Sequence, residues 1–149
     1  MIYSAPDFQK MDSRYRVNLF QSITGPKPAH LIGTTNGEGL LNLAIFSSVS
    51  HLGSNPPFFG FISRPETVRR DSLNNIRKSG DFTINSVTKE ILESAHQTSG
   101  KYPADQCEFE ASGLKPHFLE GIESPAVAQS PIRLYLSLQQ ITPLEMNST

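Results

Sequence analysis

Two stretches of this sequence gather side chains that could hold a ligand. The first runs from Asn42 to Ser50 (NLAIFSSVS). An asparagine stands in an apolar run, and a hydroxyl-rich turn is expected to follow it. A buried amide is costly unless it is hydrogen-bonded, so Asn42 either decorates an edge strand or helps hold a polar ligand between an apolar wall and backbone amides. The second runs from Ser63 to Ser72 (SRPETVRRDS), where Arg64, Arg69 and Arg70 surround Thr67 and Ser72 just before a short helical pattern. Arginines and a hydroxyl at a helix N-terminus make a physical site for a phosphate. The same residues could also form a solvated charged loop. Both stretches leave the ends of adjacent apolar strands, so one could take a ring system and the other its phosphate.

Other chemistries are poorly supplied. There is no GxSxG elbow, no GxGxxG between a strand and a helix, and no HExxH. His30, His51, His96 and His117 are scattered and do not reach metal-ligand spacing. Cys107 is the single cysteine, which excludes an internal disulfide and a CxxC pair. Redox chemistry would have to come from a bound cofactor. Cys107 lies among Asp105, Gln106 and Glu108 and reads as an incidental thiol. Lys and Arg number 13 against 14 Asp and Glu, so the positive field that wraps a nucleic-acid backbone is missing. No run approaches the ~20 apolar residues of a membrane span, and the first residues lack the apolar core of a signal peptide. The cytoplasm is the expected location. The 149 residues suit one domain, 1–149, with a core that needs no metal or disulfide.

The elements that must position these residues are mostly strands. An N-terminal arm leads to a short element around Tyr15 to Ile23, and Pro26 and Pro28 rule out a helix just beyond. His30 to Thr35 and Leu40 to Phe46 read as a hairpin joined at Asn36-Gly37. Phe58 to Ile62 follows Pro56-Pro57 as another strand. Asp71 to Lys78 reads as a short helix, with Asp71 accepting from the first-turn amides and Gly80 as the stop. Phe82 to Val87 is a strand with Phe82, Ile84 and Ser86 on one face and Thr83, Asn85 and Val87 on the other. Thr88 caps a second helix that runs to about His96. Residues 101–130 read as long, polar and irregular, broken by Pro103, Pro116 and Pro125. Ile132 to Ile141 has the cleanest period-two alternation. Strands with short isolated helices predict an all-β, antiparallel Greek-key barrel rather than a doubly wound sheet.

Taken in order, these pieces resemble the flavin reductase-like family, which includes the flavoredoxins, from about Pro26 to Leu144. PKPAHLIGTT, NLAIFSSVS, NPPFFGF, RRDSLNNIRKSGDFTINSV, SGKYPADQCEFEASGL and SPAVAQSPIRLYLSL each resemble a family block at the matching place. The resemblance implies an FMN-binding split barrel, a homodimer with FMN near the subunit interface, and electron transfer from NAD(P)H to a flavin or another small acceptor. A flavin-binding electron carrier and a non-catalytic ligand module are the alternatives. Carried across, Asn42, Ala44, Phe46, Ser47, Ser48 and Val49 would line the flavin ring. Arg64, Arg69, Ser72 and Asn75 would lie at or near its phosphate, and Asn85 would support the site. Lys27 replaces a family arginine; it keeps the charge without the planar, bidentate geometry. Ile45 stands where the family block has proline, Ala29 where it has isoleucine and Ser72 where it has threonine. Tyr135 stands where the last family strand often carries an acid. The resemblance also leads one to expect further strands after Leu144, so the barrel is expected to close differently, for instance across the dimer.

Overall fold

The computed structural model describes residues 2–64, 70–103 and 106–144. Its centre is a four-stranded antiparallel sheet in the order β2-β1-β5-β8, built from β1 (His30–Thr35), β2 (Leu41–Phe46), β5 (Asp81–Ser86) and β8 (Arg133–Ser137). Two hairpins complete the β structure: β3 (Ser50–Ser54) with β4 (Pro57–Gly60), and β6 (Pro116–Leu119) with β7 (Ile122–Val127).

Register decides which side chains share a face. Ile32 lies opposite Ala44 and Ile84, and Thr34 lies opposite Asn42. Because strand side chains alternate, Ile32, Phe82 and Ile84 form one face. It is covered by Ile76 and by Phe46, Val49, Phe59, Phe61, Leu134, Leu136 and Leu138. Ile76 belongs to α3 (Asp71–Ser79), which Gly80 ends in a left-handed conformation with φ 75°. Only a residue without Cβ adopts that conformation at no cost. The opposite face carries Leu31 and Leu43. It packs under Ile91, Ala95, Phe109, Leu114 and Val127, from a 3₁₀ turn at Lys89–Ile91, α4 (Leu92–Gln97), the α5 region (Glu108–Ser112) and β7.

β7 crosses this second face at very close range. A Cβ on Gly33 would fall 2.0 Å from the Pro125 carbonyl oxygen. Thr83 Oγ1 donates to that same oxygen at 2.7 Å, and Asn85 Oδ1 accepts from Val127 N at 2.9 Å. Glycine is required at position 33 by the approach of another backbone.

Four sequence expectations change. The hydroxyl-rich stretch after β2 contains a strand, β3, because β4, read from the sequence as Phe58 to Ile62 and observed at Pro57–Gly60, turns back to pair with it. Residues 101–130 are not irregular throughout; they hold α5 and the β6–β7 hairpin. The N-terminal arm holds α1 (Ala5–Lys10) ahead of α2 (Ser13–Ile23). The first hairpin closes through a loop longer than a two-residue turn. Thr35 pairs with Leu41, and Asn36 Oδ1 accepts from the Glu38 and Leu40 amides at 2.8 and 3.0 Å.

Candidate flavin site

The aromatic wall forms first. Phe46 ends β2 on the α3 side of the sheet, with its ring centroid 5.0 Å from that of Phe61, and Phe61 stands 5.7 Å from Phe82 in a second edge-to-face contact. Val49 packs on the same cluster. Ser48 fixes the connection beside this wall: its hydroxyl donates to the Ile62 carbonyl at 3.2 Å and accepts from Ile62 N at 3.0 Å. The end of β2 is thereby tied to the segment that continues to Ser63 and Arg64. Ala44 is half-buried on the Phe46 side of β2, and Ser47 is exposed.

α3 follows in the chain, from Asp71. Its cap residue, Arg70, supplies no side-chain acceptor, and Asp71 is the first helical residue rather than the cap. A helix N-terminus carries a positive dipole end that favours an anion. Arg64 is exposed and Arg70 half-buried on the approach. Arg69 lies outside the described residues.

Three other expected site residues meet one another instead. Asn42 Nδ2 donates to Thr34 Oγ1 at 3.1 Å and to Ser72 Oγ at 2.9 Å. Asn75 Nδ2 donates to the same Thr34 oxygen at 3.1 Å. All four side chains are buried. They clasp α3 to β1 and β2, and they set the angle at which its N-terminus meets the loop. Thr34 is missing from the sequence reading. The register that places Thr34 opposite Asn42 follows from the longer loop after Thr35, which the Asn36-Gly37 turn signal does not give.

Asn85 and Lys27 sit apart. Asn85 is fully buried, donates to the Leu31 carbonyl at 3.0 Å and to Thr83 Oγ1 at 2.9 Å, and accepts from Val127 N. It faces β7, on the other side of the sheet from Phe46. Lys27 is exposed in the segment ahead of β1.

A small open crevice of about 40 Å³ lies between the β2 edge, α3 and α5, with Asn36, Asn42, Asp71, Asn75, Gln106 and Glu108 among its walls. Glu108 Oε2 accepts from Leu43 N at 3.2 Å, occupying an edge amide of β2. Burial pushes the Glu108 carboxyl above the usual range and the nearby Asp71 charge adds to this, while hydrogen bonds from backbone amides oppose it. Two carboxylates make this side of α3 unsuited to a phosphate, so an anion at the helix end would lie toward Arg64 and Arg70. At the start of β1, His30 Nδ1 is buried with no partner at hydrogen-bonding geometry. Burial lowers the pKa of this histidine, an effect partly offset by the Pro28 carbonyl. Cys107 is half-buried against the α5-side core. Among the described residues, no cluster of three or more His, Cys, Asp or Glu could hold a metal, and no helix is long and apolar enough to cross a membrane.

Comparison with known proteins meets this geometry. The flavin reductase like domain matches residues 24–147. A candidate flavin reductase with a split barrel domain from Shewanella frigidimarina NCIMB 400 is 41% identical, with a TM-score of 0.91 over 97% of this chain and 72% of that one. The chain belongs to the flavin reductase-like family, and its fold is the split barrel of that family. Nitrilotriacetate monooxygenase component B from Bacillus cereus shares the fold at 23% identity and a TM-score of 0.84, over 97% of this chain and 73% of that one. The flavoredoxin of Desulfovibrio vulgaris (Miyazaki F) does so at 24% and 0.69, over 78% and 63%. Among curated relatives, an uncharacterized protein of Aquifex aeolicus is 24% identical over 89% of this chain. The chain spans 68% of that relative's length and 66% of BH2278 from Halalkalibacterium halodurans.

Proposed function

We propose that this chain binds FMN and works as an oxidoreductase that moves electrons from NAD(P)H to a flavin or another small acceptor, as a homodimer in the cytoplasm. The observation that supports the reading is the aromatic wall of Phe46, Phe61 and Phe82 at the end of β2, in a chain of this family. The residues present fit the group. Ala44, Phe46 and Val49 offer an apolar surface for a planar ring, with Ser47 and Ser48 at its border. Arg64, Arg69, Arg70 and the first-turn amides of α3 would hold the phosphate. Asn42, Ser72 and Asn75 act on the cofactor through the angle of α3, and Asn85 through the packing of the sheet. Lys27 adds a charge ahead of β1.

FMN supplies the redox chemistry when bound. The protein's part is to hold the ring against an apolar wall, to neutralise the phosphate and to keep water from one face. No side chain here is assigned as a general acid or base.

A flavin fluorescence titration of the purified protein with FMN tests the reading. Saturable binding, followed by oxidation of NADH or NADPH that depends on FMN, is the expected result. Absence of binding by both FMN and FAD would leave a non-catalytic split-barrel module. The likeness to a flavoredoxin motivates a second reading, a flavin-binding electron carrier. Reduction of bound flavin by a protein donor, with none by NADH or NADPH, would single that reading out.

A further inference from the structure

The N-terminal helical pair is folded and yet only loosely attached to its own body. Among the described residues neither α1 nor α2 buries a single residue, and neither packs extensively against a strand or helix of the sheet. Helices of six and eleven residues are too short to persist alone in water, where about 12–15 residues are marginal. The pair is nonetheless well formed. Asp7 accepts from Ser4 N at 2.8 Å, Asp12 caps α2 by accepting from Tyr15 N at 3.0 Å, and Arg16 Nη1 donates to the Phe8 carbonyl at 3.1 Å. Phe8 stacks against Tyr3 and Phe20 at 5.9 and 5.0 Å. Its outer surface exposes Val17, Phe20 and Ile23, each three residues from the next.

Charge says what would cover it. The stretch up to residue 29 carries Lys10, Arg14, Arg16 and Lys27 against Asp7 and Asp12. Elsewhere in the same chain, the β6–β7 hairpin exposes Phe118 and Leu119 beside Glu120 and Glu123. An apolar stripe with a basic border and an apolar pair with an acidic border are complementary. Residues 24–29 (TGPKPA) carry two prolines and have no regular secondary structure, so they favour an extended connection between the arm and β1. Exchange between two copies satisfies both surfaces at once and closes the assembly, since each chain gives an arm and receives one.

We infer that the α1–α2 arm docks on the β6–β7 hairpin of a second copy of this chain. The inference rests on the homodimer of the proposed function and specifies how the two copies are joined.

Two measurements on the full chain test it. Sedimentation equilibrium compares the native chain with the double variant Val17→Glu, Ile23→Glu, whose changes lie on the exposed surface. The expected result is a dimer whose Kd rises at least tenfold in the variant. In a Cys107→Ser background, one preparation carries Ile23→Cys and another Phe118→Cys, and the two are mixed and oxidised. A disulfide-linked pair containing one chain of each kind is expected. An unchanged Kd in the double variant overturns the arm exchange and leaves the homodimer standing. Absence of the mixed disulfide, together with a link that forms independently of dilution within a third preparation carrying both Ile23→Cys and Phe118→Cys, overturns it as well. A native chain that is monomeric at every concentration overturns both the exchange and the homodimer, while FMN binding is read separately.

Discussion

Gly33→Ala adds a single methyl group where β7 crosses the sheet. Its Cβ would lie 2.0 Å from the Pro125 carbonyl oxygen and 2.7 Å from Thr83 Oγ1. Neither neighbour can simply rotate away. The carbonyl is backbone, and the Thr83 hydroxyl is held by its 2.7 Å bond to that carbonyl and by Asn85. Overpacking of a close-packed interior costs about 1–3 kcal/mol, and a buried hydrogen bond broken without replacement costs about 1–3 kcal/mol more. The two effects share atoms and so do not add in full, which puts the expected loss at about 3 kcal/mol. That is a large part of the ~5–15 kcal/mol that holds a domain of ordinary stability together. Urea unfolding followed by circular dichroism measures it, with the m-value required to stay constant. Thr83→Ser, which keeps the hydroxyl, serves as the companion variant and is expected to lose less than about 1.5 kcal/mol, the effect of one buried methyl group. A Gly33→Ala protein within ~0.5 kcal/mol of native, the range of an ordinary surface change, would refute the claim that β7 is clamped by this contact.

Asn85→Ala removes an amide that makes three buried hydrogen bonds and is expected to cost at least about 2 kcal/mol of stability, read by the same denaturation. Arg64→Ala is expected to weaken FMN binding by roughly tenfold, the scale of one charge-assisted contact, whereas Ser72→Ala, which loosens the Thr34 clasp from within, is expected to change stability more than FMN affinity. Fluorescence titration and thermal melting of both variants read the difference. Glu108 is the pH-sensitive group of the crevice. Its folded pKa is raised, so the native state binds the proton more tightly than the unfolded chain, and the associated stability is complete below the unfolded value of about 4.3 and is lost as pH rises through the folded value. Glu108→Gln keeps an acceptor for Leu43 N and is expected to remove this loss, so urea midpoints of native and variant should diverge in the variant's favour on going from acid to neutral pH. His30 works in the opposite sense. Its folded pKa is lowered, so its contribution is present above the unfolded value of about 6.5 and disappears as pH falls through the folded one; His30→Gln should flatten that part of the stability profile.

Much of this fold is legible from local signals. β1 is read with its observed bounds because its turn chemistry and apolar run agree, and α3 is read within a residue because Gly80 stops it. The faces of β5 also come out as expected, since period-two alternation is a property of the strand itself. Elements that depend on distant partners do not come out this way. β3 has no pattern of its own and exists because β4 returns beside it. β7 looks like part of a proline-broken loop, although Thr83 and Asn85, some 42 residues away, hold it across the sheet. The site divides along the same line. Phe46 and Val49, singled out by resemblance, stand on the aromatic wall. Asn42, Ser72 and Asn75 are singled out with them, but the sequence gives no sign that they spend their hydrogen bonds on one another and on Thr34. Asn85 carries a family signature, and the structure places it under β7, on the opposite side of the sheet from Phe46.

The strand order has a consequence for synthesis. β1 and β2 are adjacent in the chain, so their hairpin can form as soon as both have left the ribosome. The other edge of β1 must wait for β5, which begins at Asp81. At ~5–20 residues per second, the intervening stretch of roughly 45 residues takes about 2–9 s to translate. Throughout that interval a strand destined for burial, Leu31 and Ile32 included, offers unpaired amides to any passing chain. Once β5 arrives its own outer edge is open for a comparable time, until β8 emerges. A nascent chain of this protein therefore passes through two successive windows in which a chaperone that shields strand edges would raise its yield, and the first closes only when Asp81 to Ser86 has been made.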